Sequence, residues 1–189
     1  MQNENKVRCG WCSASDLYKK YHDEEWGVPV YDDASLFEFL TLETFQAGLS
    51  WITILNKREN FRAAFDYFDY KKIANYPEDK IESLLENTGI IRNKLKIRSA
   101  VTNAQAFIKI QEEFGSFSDY IWKFTNGKPI INNPKTSKDV PATTPLSDEI
   151  SKDLKKRGFK FVGSTVIYAH MQATGMVNDH VENCWTRTK

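Results

Sequence analysis

The chain has 189 residues with 26 basic and 25 acidic side chains, so its formal net charge of +1 excludes a histone-like or polybasic protein. Hydrophobic residues at 41% and aromatics at 13% can fill one compact core and argue against extended disorder. The stretch from Met1 to Arg8 is polar, and no run approaches the ~18 apolar residues of a membrane span, which predicts a soluble, cytoplasmic protein.

In chain order, the apolar spacing is helical almost throughout. Asp32 and Asp33 can cap a helix beginning near Ser35, with Leu36, Phe39, Leu40 and Ala47 along one face. Ile52, Leu55, Phe61 and Phe65 continue the same period. Pro77, Glu78 and Asp79 read as the first turn of a helix carrying Ile81, Leu84 and Leu85. A tight turn at Gly89 then leads into a long basic helix, making a helical hairpin over 81–109. Asn126 to Pro145 holds four of the six prolines and is predicted as a long loop, and Ser147, Asp148 and Glu149 open the next helix. Gly48, Gly115, Gly127, Gly158 and Gly175, like Gly89, fall where helices should stop. Strand-like alternation is almost absent. The prediction is an all-α single domain over 1–189, with about eight helices of ordinary length in two packed halves.

Charge is unevenly spread: residues 1–70 carry 7 basic and 12 acidic side chains, and residues 71–189 carry 19 and 13. Arg92, Lys94, Lys96, Arg98 and Lys109 have no acid among them, and neither have Lys155, Lys156, Arg157 and Lys160. Such runs can build a face that neutralises phosphates, or can be an ordinary solvated helix face. Backbone N–H groups at the start of the basic helix could also point at a phosphate.

Glu43 is the residue out of place. At 100° per residue it falls with Leu36, Phe39 and Leu40, away from Glu38 and Thr41. A carboxylate there must find a partner inside the fold or line a pocket where it meets a ligand. Trp11, Tyr18, Tyr21 and Trp26 precede it, and Phe45 and Trp51 follow; they either fill the core or form a slot for a planar ring. A slot with one carboxylate, beside a basic half, suits an enzyme that takes a base out of the DNA stack.

Three cysteines are an odd number for a disulfide framework and read better as thiols or metal ligands. His180 and Cys184 lie four apart, on one side of a helical turn. With Cys9 and His22 they make the donor set of a closed structural zinc site joining the two ends of the chain; the alternative is four unrelated residues. Cys9 and Cys12 also form a C-x-x-C, but no βαβ pattern surrounds it, which argues against thioredoxin-like chemistry. His170, among Val166, Ile167 and Ala173, reads as a core histidine.

Several motifs together resemble the DNA-3-methyladenine glycosylase I family: Arg8 to Trp11, Tyr21 to Gly27, Leu42-Glu43, Gln46 to Trp51, Lys155 to Gly163 and Asn178 to His180. The resemblance runs from Arg8 to Cys184 and is weakest in the Pro-containing loop. It implies a helix-hairpin-helix DNA glycosylase fold with the hairpin near Gly89, and one structural zinc ion on Cys9, His22, His180 and Cys184. It implies that Glu43 matches the pocket carboxylate that recognises the base, between stacking walls matching Trp11, Tyr21 and Trp51, with Tyr18 as a further pocket member; the expected contact of Glu43 is with the exocyclic amine and N7 edge. Leu49, at the Gly48 turn, is then the wedge that enters the DNA. The hairpin near Gly89, together with Arg92, Lys94, Lys156 and Arg157 from the two basic runs, makes the expected contacts with the duplex. The implied activity is hydrolysis of the N-glycosidic bond of 3-methyladenine in alkylated double-stranded DNA, by a monofunctional and monomeric repair enzyme. Two departures stand out: Phe45 occupies a position where some members have a polar amide, and Cys12 matches no family ligand. The family also lacks the catalytic aspartate that the usual helix-hairpin-helix glycosylases carry beyond the hairpin, and none can be placed here.

Overall fold

Side-chain caps set most helix starts over residues 6–188, which the computed structural model describes; residues 1–5 of the polar start lie outside the described residues. Ser15 caps α1 (Asp16–Glu24) by accepting from Tyr18 N, and Asp32 caps α2 (Asp33–Gln46) by accepting from Ser35 N. α3 (Trp51–Asn56) and α4 (Arg58–Ala64) meet at Lys57, so the apolar period from Ile52 to Phe65 is divided between two helices. α5 (Tyr70–Ile73), capped by Asp69, and α6 (Glu78–Glu86), entered through Pro77, follow. Asn93 caps the long α7 (Lys94–Phe114), and Ser116 caps α8 (Phe117–Trp122). α9 (Pro145–Lys156) begins ahead of the expected Ser147 because Thr144 and Ser147 cap it reciprocally, and α10 (Ser164–Ala173) follows. The helices outnumber the expected eight or so because pieces as short as α5 and α8 show no period in sequence.

The all-α reading needs one small correction. β1 (Ile130–Ile131) and β2 (Val177–Asn178) pair in parallel, Ile130 opposite Val177 and Ile131 opposite Asn178, which ties the Pro-containing loop to the C-terminal segment. Among the described residues, no helix is long and apolar enough to cross a membrane.

α2 lies at the centre, in contact with α3, α7, α8 and α10. Its buried surface is wider than one stripe: Phe37 and Leu42 are buried with Leu36, Leu40 and Phe45, and Thr41, expected outside, is buried too. A helix enclosed on nearly every side has no polar face to reveal its register. The smaller cluster of Tyr21, Phe39, Leu55 and Ala173, with Trp11, Tyr18, Trp26 and Trp51 against it, sits beside this core and houses the site.

The turn between α6 and α7 is held by side chains. Asn87 Oδ1 accepts from Gly89 N at 2.8 Å, and Gly89 O accepts from Lys57 Nζ at 3.3 Å and Asn60 Nδ2 at 3.2 Å. Gly89 does not have the left-handed φ of a helix stop. Crowding makes it a glycine instead, because a Cβ there would lie 3.2 Å from Asn60 Cγ.

Candidate active site and metal centre

α1 presents Tyr18 and Tyr21 three residues apart, the short 3₁₀ turn Gly10–Ala14 supplies Trp11, and Trp51 is the first residue of α3. These rings and Glu43 of α2 line one cavity of about 340 Å³, within the size range of small-molecule sites. Trp11 and Tyr18 lie 4.9 Å apart by ring centroids and Tyr21 and Trp51 5.4 Å, all tilted, so the walls are rigid but not stacked on one another. Glu43 is 3% exposed, and burial pushes its carboxyl up to about 8. Among the described residues, Glu43 Oε2 and Trp51 Nε1 are buried without hydrogen-bond partners. Two such atoms in one cavity wall are acceptor and donor capacity left for a ligand.

The mouth is built from parts far apart in sequence. Ser137 and Val140 of the Pro-containing loop line the cavity, as do Gln172 and Asp179. Asp179 accepts from Tyr168 Oη at 2.6 Å, Gln172 Nε2 at 2.8 Å and Asn132 Nδ2 at 2.7 Å, which fixes the loop against the C-terminal segment.

Immediately after α2 the chain makes a tight turn, closed by Leu49 N donating to Gln46 O at 2.6 Å. Ala47 has φ −47° and ψ 116°, and Gly48 has φ 82°, the geometry of a type II turn with glycine where φ must be positive. Leu49 stands 41% exposed at its end.

Cys9, His22, His180 and Cys184 converge at the other side of the aromatic cluster. All four are buried, and one potential ligand atom from each lies within 4.8 Å of the others. Cys184 Sγ is 3.4 Å from both His22 Nε2 and His180 Nδ1, and Cys9 Sγ is 3.7 Å from His180 Nδ1. These separations match the edge of a tetrahedron with zinc-like bond lengths, about 3.5 Å. The outer nitrogens are engaged: His22 Nδ1 donates to Asp23 Oδ1 at 2.8 Å and His180 Nε2 to the Trp26 carbonyl at 3.0 Å, so the inner ones present lone pairs. Burial alone would raise the Asp23 carboxyl, but hydrogen bonds from Arg8 and His22 hold it down at about 2. The donor set and its spacing therefore fit a closed tetrahedral metal site.

The sequence profile of the methyladenine glycosylase family matches residues 11–188. The chain belongs to this family. DNA-3-methyladenine glycosylase 1 of Escherichia coli K12 is 50% identical over 177 residues, covering 94% of this chain and 95% of that one. DNA-3-methyladenine glycosylase of Haemophilus influenzae is 46% identical over 182 residues, covering 96% and 98%. A solved 3-methyladenine DNA glycosylase I variant in complex with 3-methyladenine is 35% identical, with a TM-score of 0.93 over 96% of this chain and 98% of that one.

For a methyladenine glycosylase, the expected residues fall into two groups. Glu43, Trp11, Tyr18, Tyr21 and Trp51 do share a cavity, and Cys9, His22, His180 and Cys184 do share a cluster. Cys12 is buried beside that cluster but donates its thiol to the Cys9 carbonyl at 3.1 Å. Phe45 packs on Phe61 and Phe65 in the core, away from the cavity lining. His170 is a core residue whose Nε2 donates to Leu36 O at 3.1 Å, and burial lowers it to about 4, so it is neutral. Arg92, Lys94 and Lys156 are exposed. Among the described residues, Arg157 is ion-paired with both Asp153 and Glu113 at 2.7 Å, unlike its neighbour Lys156. Lys96, although part of a basic run in sequence, is buried against the end of α2. Asp179, Ser137 and Val140 were missed because their path to the cavity runs through the β1–β2 pairing, which two-residue strands do not announce.

Proposed function

We propose that the protein excises 3-methyladenine from alkylated double-stranded DNA as a monofunctional glycosylase, using a helix-hairpin-helix fold with its hairpin turn near Gly89. The observation carrying this reading is the buried, unpartnered Glu43 carboxyl in an aromatic cavity. The outer edge of adenine offers an amine donor beside the N7 acceptor. A carboxyl that keeps its proton up to about pH 8 is complementary, its C=O accepting from the amine while its O–H donates to N7. The relatives named for 3-methyladenine, and the related structure that contains it, support this base.

Methylation at N3 makes the ring cationic within the nucleotide, and Trp11, Tyr18, Tyr21 and Trp51 attract a cationic ring through their faces. The same charge makes the base a good leaving group. The C1′–N9 bond breaks with its electron pair passing to the base, and water adds at C1′ and gives up a proton. The products are neutral 3-methyladenine and an abasic site. Normal adenine is rejected because it leaves poorly and is harder to unstack. Leu49 fills the space that the flipped nucleotide vacates, while the Gly89 turn, Arg92, Lys94 and Lys156 hold the phosphates. Cys9, His22, His180 and Cys184 would hold one structural zinc ion, which supplies a cross-link between the two ends of the chain. The enzyme acts as a cytoplasmic monomer.

Chromatography of the bases released from methylated duplex DNA tests the reading. Free 3-methyladenine is the expected product, and its complete absence would overturn the assignment. A DNA adduct trapped by borohydride would replace the monofunctional mechanism with a lyase.

A further inference from the structure

Lys96 sits on the first turn of α7 and is 6% exposed, so the basic run that contains it is interrupted by one side chain pointing inward. Its Nζ donates to Phe45 O at 2.8 Å and to Ala47 O at 2.6 Å. The two acceptors differ in kind. Phe45 O is one of the carbonyls that α2 leaves unpaired at its C-terminus, where the helix dipole also favours a cation. Ala47 O belongs to the central peptide of the Gln46–Leu49 turn. The orientation of that peptide is what separates type II from type I, since the two differ by a flip of about 150° in ψ at the first central residue and a change of sign in φ at the second. An ammonium bonded to Ala47 O therefore fixes the flip, and with it the direction in which Leu49 leaves the turn.

The other end of Lys96 is fixed as well. Asn93 Oδ1 accepts from Lys96 N at 3.1 Å, so the residue is part of the N-terminal cap of α7. Lys57 and Asn60, from the α3–α4 side, hold Gly89 O in the preceding turn. The two exposed turns are thus braced against one another, one through Lys96 and the other through Lys57 and Asn60.

We propose that Lys96 is a positioning residue for excision: it locks the Gln46–Leu49 turn in its type II form and couples the hairpin's grip on the DNA backbone to the insertion of Leu49. The proposal rests on the reading of Leu49 as the wedge and of the Gly89 turn as the phosphate-binding hairpin. Glu43 lies one turn of helix before Gln46, inside α2, and Trp51, which opens α3 after the turn, is held against Tyr21 at 5.4 Å, so base recognition need not depend on the flip. This separates the role from that of a plain helix cap, whose loss would loosen α2 and Glu43 with it.

The test compares wild type, Lys96→Met, Lys96→Arg, Leu49→Ala and the Leu49→Ala/Lys96→Met double variant, by excision from methylated duplex DNA and by binding of free 3-methyladenine. Lys96→Met is expected to lower kcat on duplex DNA by about 10- to 100-fold, as misplacement of a positioned group by ~1 Å does. Free-base affinity stays within about twofold, Lys96→Arg recovers part of the rate, and in the Leu49→Ala background Lys96→Met costs less than about threefold because no wedge remains to be aimed. Unchanged duplex excision, an equal fall in free-base affinity, or full additivity with Leu49→Ala would each overturn the proposal. If Lys96→Met does not fold, Lys96→Gln carries the same comparisons. A wild-type chain that releases no 3-methyladenine overturns the glycosylase reading and the proposal with it; failure confined to the Lys96 variants overturns the proposal alone.

Discussion

Glu43 shows what one misplaced residue reveals. Its position among Leu36, Phe39 and Leu40 is legible because a carboxylate breaks an apolar pattern, but its proton is not legible, since that depends on how completely α2 is enclosed. If the O–H donates to N7, free 3-methyladenine affinity should be level below about pH 8 and fall by up to about tenfold per pH unit above it. Glu43→Gln keeps an acceptor and a donor without an ionisation, so its profile should be flat. Glu43→Ala should bind about 10- to 100-fold more weakly, the worth of two hydrogen bonds at ~1 kcal/mol each. A fluorescence titration of the base between pH 6 and pH 10 checks all three, and a flat wild-type profile would remove the proton from recognition. The same group affects stability. Its folded value of about 8 lies above the ordinary 4.5, so its contribution is complete below 4.5 and is lost as pH rises through 8; the Gln variant lacks that slope.

At the scale of a helix, a run of charges carries no direction. Lys155, Lys156 and Arg157 look alike in sequence, yet Lys156 is exposed and Arg157 is clamped between Asp153, one turn back, and Glu113 on α7. Lys94 and Lys96 divide in the same way, because the acceptors for Lys96 lie at the end of α2 and in the turn after it. Partners this distant in sequence cannot be inferred from spacing, which is why the capped start of α2 at Asp32 was legible and the fate of each basic residue was not. The distinction is measurable in DNA binding. Lys156→Gln should reduce the slope of log affinity against log salt by about 0.9, one phosphate contact on duplex DNA, while Arg157→Gln should leave the slope unchanged. Equal slopes for Lys156→Gln and wild type would place the DNA elsewhere.

Over the whole molecule, the helical class was legible and the closure of the chain only half so. The residue types of Cys9, His22, His180 and Cys184 suggested a metal site, but ligands at opposite ends of a chain are ligands only once the fold has brought them together. A cross-link closing a loop of this length is worth about 5 kcal/mol by chain entropy. Chelation should then lower the melting temperature by about 10–20 °C for a domain of this size. Metal analysis of purified variants should show one zinc per chain in Cys12→Ser and none in Cys184→Ser; retention of zinc by Cys184→Ser would dissolve the site.

The two ends are also side by side without any ion, since Trp185 N donates to Val7 O at 3.0 Å. Tension applied outside that pair is therefore carried from Val7 to Trp185 and, when a metal is bound, from Cys9 to Cys184. No helix lies between the paired residues, and only α1 is tied to the metal, through His22, so the body from α2 to α10, which carries Glu43 and Trp51, feels no load until the clasp has yielded. A pulling experiment should record the clasp as the first and separate rupture, with the unfolding of the helices coming after it.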